Sequence, residues 1–338
     1  MNRIFVGLVA MIMAGAGWAL AQGPALPLTQ KELVQLLKDK QFRTQAASIV
    51  EQRGVDFELT PEIEKQLRKA KADDALIEIV KKSGPSVRAE RAKASGGMEV
   101  TPEESRDFQA VRDELDPDRQ IQLAADFEQK HPSSSLLTYV HVLRAGAYNQ
   151  KEDVEKVIEY CTKSLELKSD NLMALLLAAP IMPQPQALRG ANAEERLDQA
   201  EKYAKLGLEL VEQLTAQPSE TPEQFAGRKA SYQRDLHAAL GMVHMQQSRL
   251  TLAGGPDRGE LEIAEKEYQT AISISSQPNA ADYYRLGEVR ERLSNTDGAI
   301  EAYTKAAELS QGSVIQTYAD QRIAELQKVK AQAPAKPN

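Results

Sequence analysis

The chain has 338 residues, 42% of them hydrophobic and 27% charged, with a formal net charge of −7. That balance is ordinary for a globular chain of about two domains, and it lacks the concentrated basic surface on which nucleic-acid binding depends. The single cysteine, Cys161, excludes an internal disulfide; it falls in an apolar helical stripe and reads as a small buried hydrophobe.

Met1-Asn2-Arg3 is a short basic start, residues 4–18 carry no charge, and Ala19-Leu20-Ala21 is an A-x-A cleavage site. The pattern predicts a secretory signal peptide over residues 1–21, cut so that Gln22 begins the mature chain. Kept as an anchor, the same stretch would be borderline for a hydrocarbon layer of about 30 Å. A periplasmic or secreted protein is expected, with no stable membrane span after cleavage.

Residues 28–84 read as a compact all-helical module. Thr29 and Glu32 form a capping box that opens a first helix with Leu33, Val34, Leu36 and Leu37 on its apolar face. Ala46, Ala47, Ile49 and Val50 mark a second helix, which Gly54 ends. Residues 55–59 alternate and predict an extended connector. Thr60-Pro61 opens a third helix with proline at the first helical position, where no donor is lost. Asp73 caps a fourth through Leu76, Ile77, Ile79 and Val80, and Gly84-Pro85 stops it. Around Arg53-Gly54-Val55-Asp56-Phe57-Glu58-Leu59-Thr60-Pro61, the segment resembles a small helical module at the front of varied proteins of soil bacteria such as the acidobacteria. The resemblance implies modularity rather than chemistry. Residues 85–99, with Arg88, Arg91 and Lys93 among Ala, Ser and Gly, predict a flexible, solvated linker.

From residue 100 to 329 the chain predicts helical hairpins. Thr101-Pro102-Glu103-Glu104 combines a capping box with a first-position proline, and a partner helix starts at Asp116-Pro117 and ends near His131-Pro132. The second unit runs from Leu136 through Tyr148 and from Val154 to Leu167, with Val157, Cys161 and Ser164 at steps of four and three. The third is irregular: its first helix, from about Leu172, is cut short by Pro180, and Asn192 with Glu195 caps a helix packed through Ala200, Ala204 and Gly207. The fourth begins at Thr221-Pro222, with a long helix to about Leu252 and a loop around Gly254-Gly255-Pro256-Asp257. A fifth spans 280–310, a capping helix runs from Val314 to about Val329, and residues 330–338 predict a disordered tail.

Ala264, Tyr268 and Ala271 recur as Ala299, Tyr303 and Ala306 at an offset of 35, and Leu240-Gly241 reappears as Leu286-Gly287. A period near 34 built from such residues marks a helical hairpin repeat. With Tyr283, Leu286, Gly287, Ala299, Tyr303 and Ala306 at its signature positions, residues 280–311 resemble the tetratricopeptide repeat; Arg290 replaces the usual aromatic and Gln311 the closing proline. The resemblance implies an all-α fold, an α-solenoid of tetratricopeptide-like hairpins preceded by the small module. It also implies a concave face that binds peptides or proteins, to which the first helix of unit five would contribute Tyr284, Glu288 and Glu291, and unit four Met242 and Met245. Residues 127–135 are also similar to repeat ends of periplasmic envelope-assembly proteins.

Little in the chain points to reaction chemistry. His237 and His244 lie seven apart, but no ligand stands between them at metal spacing. There is no H-E-x-x-H, G-x-S-x-G or C-x-x-C. The glycine-rich stretch 254–259 lacks the Gly-Lys-Ser/Thr of a phosphate loop, and no pair of acids stands out for acid–base work. The expectation is a non-enzymatic interaction scaffold or adaptor, without cofactor or metal, binding a protein or peptide partner. The alternative is a self-associating structural or assembly component of the cell envelope.

Overall fold

The structure is a computed structural model that describes residues 27–87, 100–189, 192–216, 220–250, 255–275 and 277–332. The expected signal peptide, most of the expected linker and the last six residues lie outside the described residues. Sixteen helices and no strand occur among the described residues.

The first five helices are α1 (Gln30–Lys38), α2 (Lys40–Arg43), α3 (Ala46–Arg53), α4 (Pro61–Lys69) and α5 (Asp74–Lys81). Thr29, Thr60 and Asp73 cap α1, α4 and α5 through their side-chain oxygens, as their positions before apolar runs predict. The short turn α2 was not anticipated. Leu28 and Val55 form an isolated parallel bridge, closed by Leu28 N–H to Gly54 O and Asp56 N–H to Leu28 O, both at 3.0 Å. Leu33, Leu37, Val50, Leu67, Leu76 and Val80 share a core that, among the described residues, includes none beyond this segment.

Eleven helices follow: α6 (Pro102–Asp113), α7 (Pro117–Lys130), α8 (Leu137–Gln150), α9 (Val154–Leu167), α10 (Leu172–Ile181), α11 (Ala193–Glu212), α12 (Pro222–Gln247), α13 (Arg258–Ile274), α14 (Ala280–Arg292), α15 (Thr296–Leu309) and α16 (Val314–Gln332). Each packs on the next, and α8 also meets α6 and α10, α10 meets α12, and α14 meets α16. This is an all-α solenoid: each hairpin has an apolar stripe that only its neighbours can cover.

Two glycines show how the hairpins close. A Cβ on Gly241 would stand 2.9 Å from the ring of Tyr268, and one on Gly287 would stand 2.7 Å from the ring of Tyr303. In both units the second helix thus lays a buried tyrosine ring on bare backbone of the first. The repeated Gly and Tyr are one contact made twice. Alanine in a helix is normally favoured over glycine by about 1 kcal/mol, so the sign of a substitution depends on that ring. Gly287→Ala is expected to destabilise by about 1–3 kcal/mol through overpacking. Gly227→Ala, on an exposed turn of α12 with nothing within 4 Å, is expected to stabilise by about 0.5–1 kcal/mol. Urea unfolding of both variants checks the pair, and equal shifts would contradict the contact.

Several expectations are corrected. Helix α10 runs through Pro180 to Ile181; the proline sits in the last turn, and Met182 N–H still reaches Ala178 O. Asn192 precedes α11 but makes no side-chain cap bond. Helix α12 stops at Gln247, short of Leu252, where the Ser248 hydroxyl donates to Met245 O at 2.9 Å. The connection between α12 and α13 spans residues 248–257, longer than the connection 293–295 between α14 and α15. Helix α16 continues to Gln332, into the first residues assigned to the tail.

Candidate interaction surface

Helix α14 begins when the Asn279 side chain accepts from Ala281 N–H and ends in the Leu293 turn. Its apolar residues Leu286 and Val289 turn inward, leaving Tyr284, Glu288 and Glu291 half-buried beside them. The structure therefore groups these three on one helix. Each also has a neighbour. Tyr284 leans on Tyr303, with ring centroids 5.2 Å apart. Glu288 pairs with Arg285 of the same helix. Glu291 accepts from the Tyr303 hydroxyl at 3.0 Å and is gripped by Arg322 of α16. The Tyr303 phenol is pushed above its ordinary range, first by burial and then by the Glu291 charge.

Met242 and Met245 are placed elsewhere. They are 6% and 1% exposed and pack with Leu261, Ala264, Tyr268, Leu286 and Val289. The structure corrects their assignment to the groove: they fill the interior between α12, α13 and α14 and offer little surface to a ligand. Seen as a periodic stripe, a buried methionine and a groove methionine look alike.

The four histidines all face carboxylates on other helices. His131 Nε2 lies 2.9 Å from Asp107, His141 Nδ1 3.1 Å from Glu128, His237 Nδ1 2.6 Å from Glu267 and His244 Nδ1 2.7 Å from Glu260. The His131 bond, the largest influence, holds Asp107 below the usual carboxylate range. Glu128 is held low as well: burial pushes it up, but the bonds from His141 and Arg144 outweigh that. The pairs at His237 and His244 join α12 to α13 at two points, a link across 30 and 16 residues that spacing alone does not reveal. No group of three or more metal-ligating side chains occurs among the described residues. Burial pushes the Cys161 thiol up, so it carries little nucleophilic thiolate.

A largely buried charged trio joins α12 to α14. Arg234 of α12 contacts Asp235 beside it and reaches Asp282 of α14 at 3.3 Å. The available signal was a pair of adjacent charges, Arg234-Asp235, between the apolar positions Tyr232 and Leu236.

These features define a helical-repeat protein whose first helices carry charged and aromatic side chains next to a methionine- and tyrosine-filled interior. A profile of the tetratricopeptide repeat matches residues 283–312, which take in most of α14, all of α15 and the following turn. No match to a curated protein was found. Among solved structures, a thermophilic TPR protein of Thermus thermophilus is similar over 65% of this chain and 99% of its own, at 15% identity and a TM-score of 0.41. The APC/C hetero-tetramer Cut9–Hcn1 is similar over 94% of this chain, at 14% identity and a TM-score of 0.32, and this chain spans 58% of that one. No described helix is long and apolar enough to cross a membrane.

Proposed function

We propose that this chain is an exported, non-enzymatic scaffold of the bacterial periplasm that docks a protein or peptide partner on the first helices of its repeats. The observation that carries this reading is the series of helices from α6 to α16, each packed on the next, in which α14 and α15 match a tetratricopeptide repeat. Such a stack presents an extended face suited to binding. Tyr284 supplies an amphipathic ring and Glu288 a carboxylate at that face, both half-buried and so partly preorganised. The N-terminal module, with its own core, would be a second docking element.

The test is crosslinking in the native host with the tagged full chain, followed by identification of captured proteins. A Y284A/E288Q double variant with an unchanged melting curve is expected to lose at least about tenfold of the capture, typical of removing an interface anchor. Undiminished capture would remove these residues from the site. Turnover in an activity screen that tracks with the purified chain would replace the scaffold reading. N-terminal sequencing of the exported protein should begin at Gln22, whereas a retained Met1 would count against cleavage.

A further inference from the structure

Units two and five align residue for residue at an offset of 142. Helices α8 and α9 map onto α14 and α15, with a second helix of 14 residues in both units and connections 151–153 and 293–295 of equal length. The left-handed residue in each connection coincides as well, Glu152 at φ 60° and Ser294 at φ 62°. In unit two the ring of Tyr160 is surrounded by side chains. Tyr148 stacks on it with centroids 5.5 Å apart, and His141 lies at 5.9 Å. The Arg144 guanidinium and the Lys163 ammonium stand 4.3 and 4.5 Å from its centroid. The counterpart of Tyr160 in unit five is Ala302, and Tyr148, His141, Arg144 and Lys163 correspond to Arg290, Tyr283, Leu286 and Lys305. All four of these, with Ala302, line an open groove of about 590 Å³ between α13, α14 and α15. Where unit two holds a ring, unit five holds space.

We propose that this groove docks an aromatic side chain of a partner polypeptide, which takes the place that Tyr160 fills in unit two. The groove keeps the kinds of group that hold that ring. Leu286 and Ala302 form its buried floor, and half-buried Ile272 and Tyr283 give it apolar and aromatic walls. Two cations are present again: Lys305 at the place of Lys163, and Arg290 at the place of Tyr148. The negative face of an aromatic ring complements both, as that of Tyr160 complements Arg144 and Lys163. Arg290 is already held by Glu265 at 2.8 Å and by Gly298 O at 3.1 Å, so a guest does not have to order it. Lys305 is exposed and pairs with Glu308 at 3.0 Å; Lys163, paired with Glu159 at 2.8 Å, shows that such an ion pair is compatible with a ring contact. The volume is that of a ligand pocket, within the range of about 300–1,000 Å³. The groove opens between α13 and α15, on another face of α14 from Tyr284, Glu288 and Glu291, and it does not rest on the role proposed for those residues.

The probe is a capped glycine pentapeptide with a central tryptophan, the ring that cations favour most. It is titrated into the mature chain and followed by saturation-transfer NMR, with a central-leucine peptide as the aliphatic arm. Saturable binding is expected, with transfer strongest at the indole protons and the leucine peptide at least about fivefold weaker. Ala302→Tyr supplies the ring from within, as unit two does. It should melt no lower than wild type and bind the tryptophan peptide at least about tenfold more weakly, the scale of a lost interface anchor. Lys305→Gln, at the exposed rim, should leave the melting curve alone. It should weaken the tryptophan peptide about two- to fivefold, the worth of a cation–π contact at an exposed site, and leave the leucine peptide unchanged. If the added ring of Ala302→Tyr unfolds the unit, Lys305→Gln and the leucine arm still decide. No saturable binding, equal affinity for the leucine peptide, or unchanged tryptophan affinity in either folded variant would each overturn the assignment.

Discussion

Replacing Tyr303 with alanine is expected to cost about 3–5 kcal/mol of stability, the range for removing a large buried aromatic side chain. The ring is fully buried among Ala299, Ala306, Ala307 and Ala319. Around it stand four alanines and the backbone of Gly287, which cannot reach into the space, together with the larger Tyr284 and Leu326. The alanines and the glycine backbone limit how far the space can close, so a cavity term adds to the lost burial. The hydroxyl acts separately: it donates to Glu291 at 3.0 Å, and Glu291 also receives Arg322 from α16. Tyr303→Phe keeps the packing and should cost only about 1–3 kcal/mol, the worth of a hydrogen bond to a charged group. Because a repeat stack depends on nearest neighbours, hydrogen exchange should show α14, α15 and α16 opening before α8 and α9 in the alanine variant. A uniform loss of protection along the chain would contradict that division.

Arg234→Gln is expected to cost a similar amount near pH 7, about 3–5 kcal/mol, because it leaves buried carboxylates without their cation. Asp235 and Asp282 are both held above their ordinary range, by burial first. For Asp282 the value rises from 3.8 to about 6, with Arg234 opposing the rise and Asp235 adding to it. The sign follows from linkage. A carboxyl whose folded value is raised binds its proton more tightly in the folded state. Its contribution to stability is complete below pH 3.8 and is lost as pH rises through about 6. For Asp282 alone this amounts to about 3 kcal/mol across that window. In Arg234→Gln the loss should shrink as pH falls toward 5, where the carboxyls neutralise. Asp282→Asn should flatten the wild-type slope between pH 4 and 6. Surface acids such as Glu159, lowered to about 2 by bonds from Lys156 and Lys163, slope the opposite way. The difference between wild type and Asp282→Asn is therefore the quantity to read from urea unfolding. A pH-independent difference would contradict the buried-charge account.

The sequence disclosed the hairpins because their chemistry is local. Thr101 with Glu104 and Thr221 with Gln224 form the capping boxes that their spacing announces. The matched triads at 264–271 and 299–306 are buried in both copies. What it could not disclose depends on partners distant in the chain. Glu291 is tied by Arg322, 31 residues away, so a groove carboxylate proved to be partly a strut between α14 and α16. Met242 and Met245 went inside because α13 delivers Tyr268 and Leu261 to that side of α12, a matter of superhelical geometry. Just past the end of α12, Ser248 O accepts from Asp257 N–H at 2.9 Å, a closure with a residue nine positions on. Tyr284, Glu288 and Glu291 were expected from the resemblance to the tetratricopeptide repeat, and their spacing of four and three places them on one face of α14.

The central claim, recognition through the first helices of the stack, is tested most directly by site-specific photocrosslinking in the native host. One probe replaces Glu288 on α14; the other replaces Ile263, exposed at 42% on α13. The account predicts a saturable adduct of defined mass from the position-288 probe and none from the position-263 probe. Equal adducts at both positions, or an adduct at 263 alone, would contradict it.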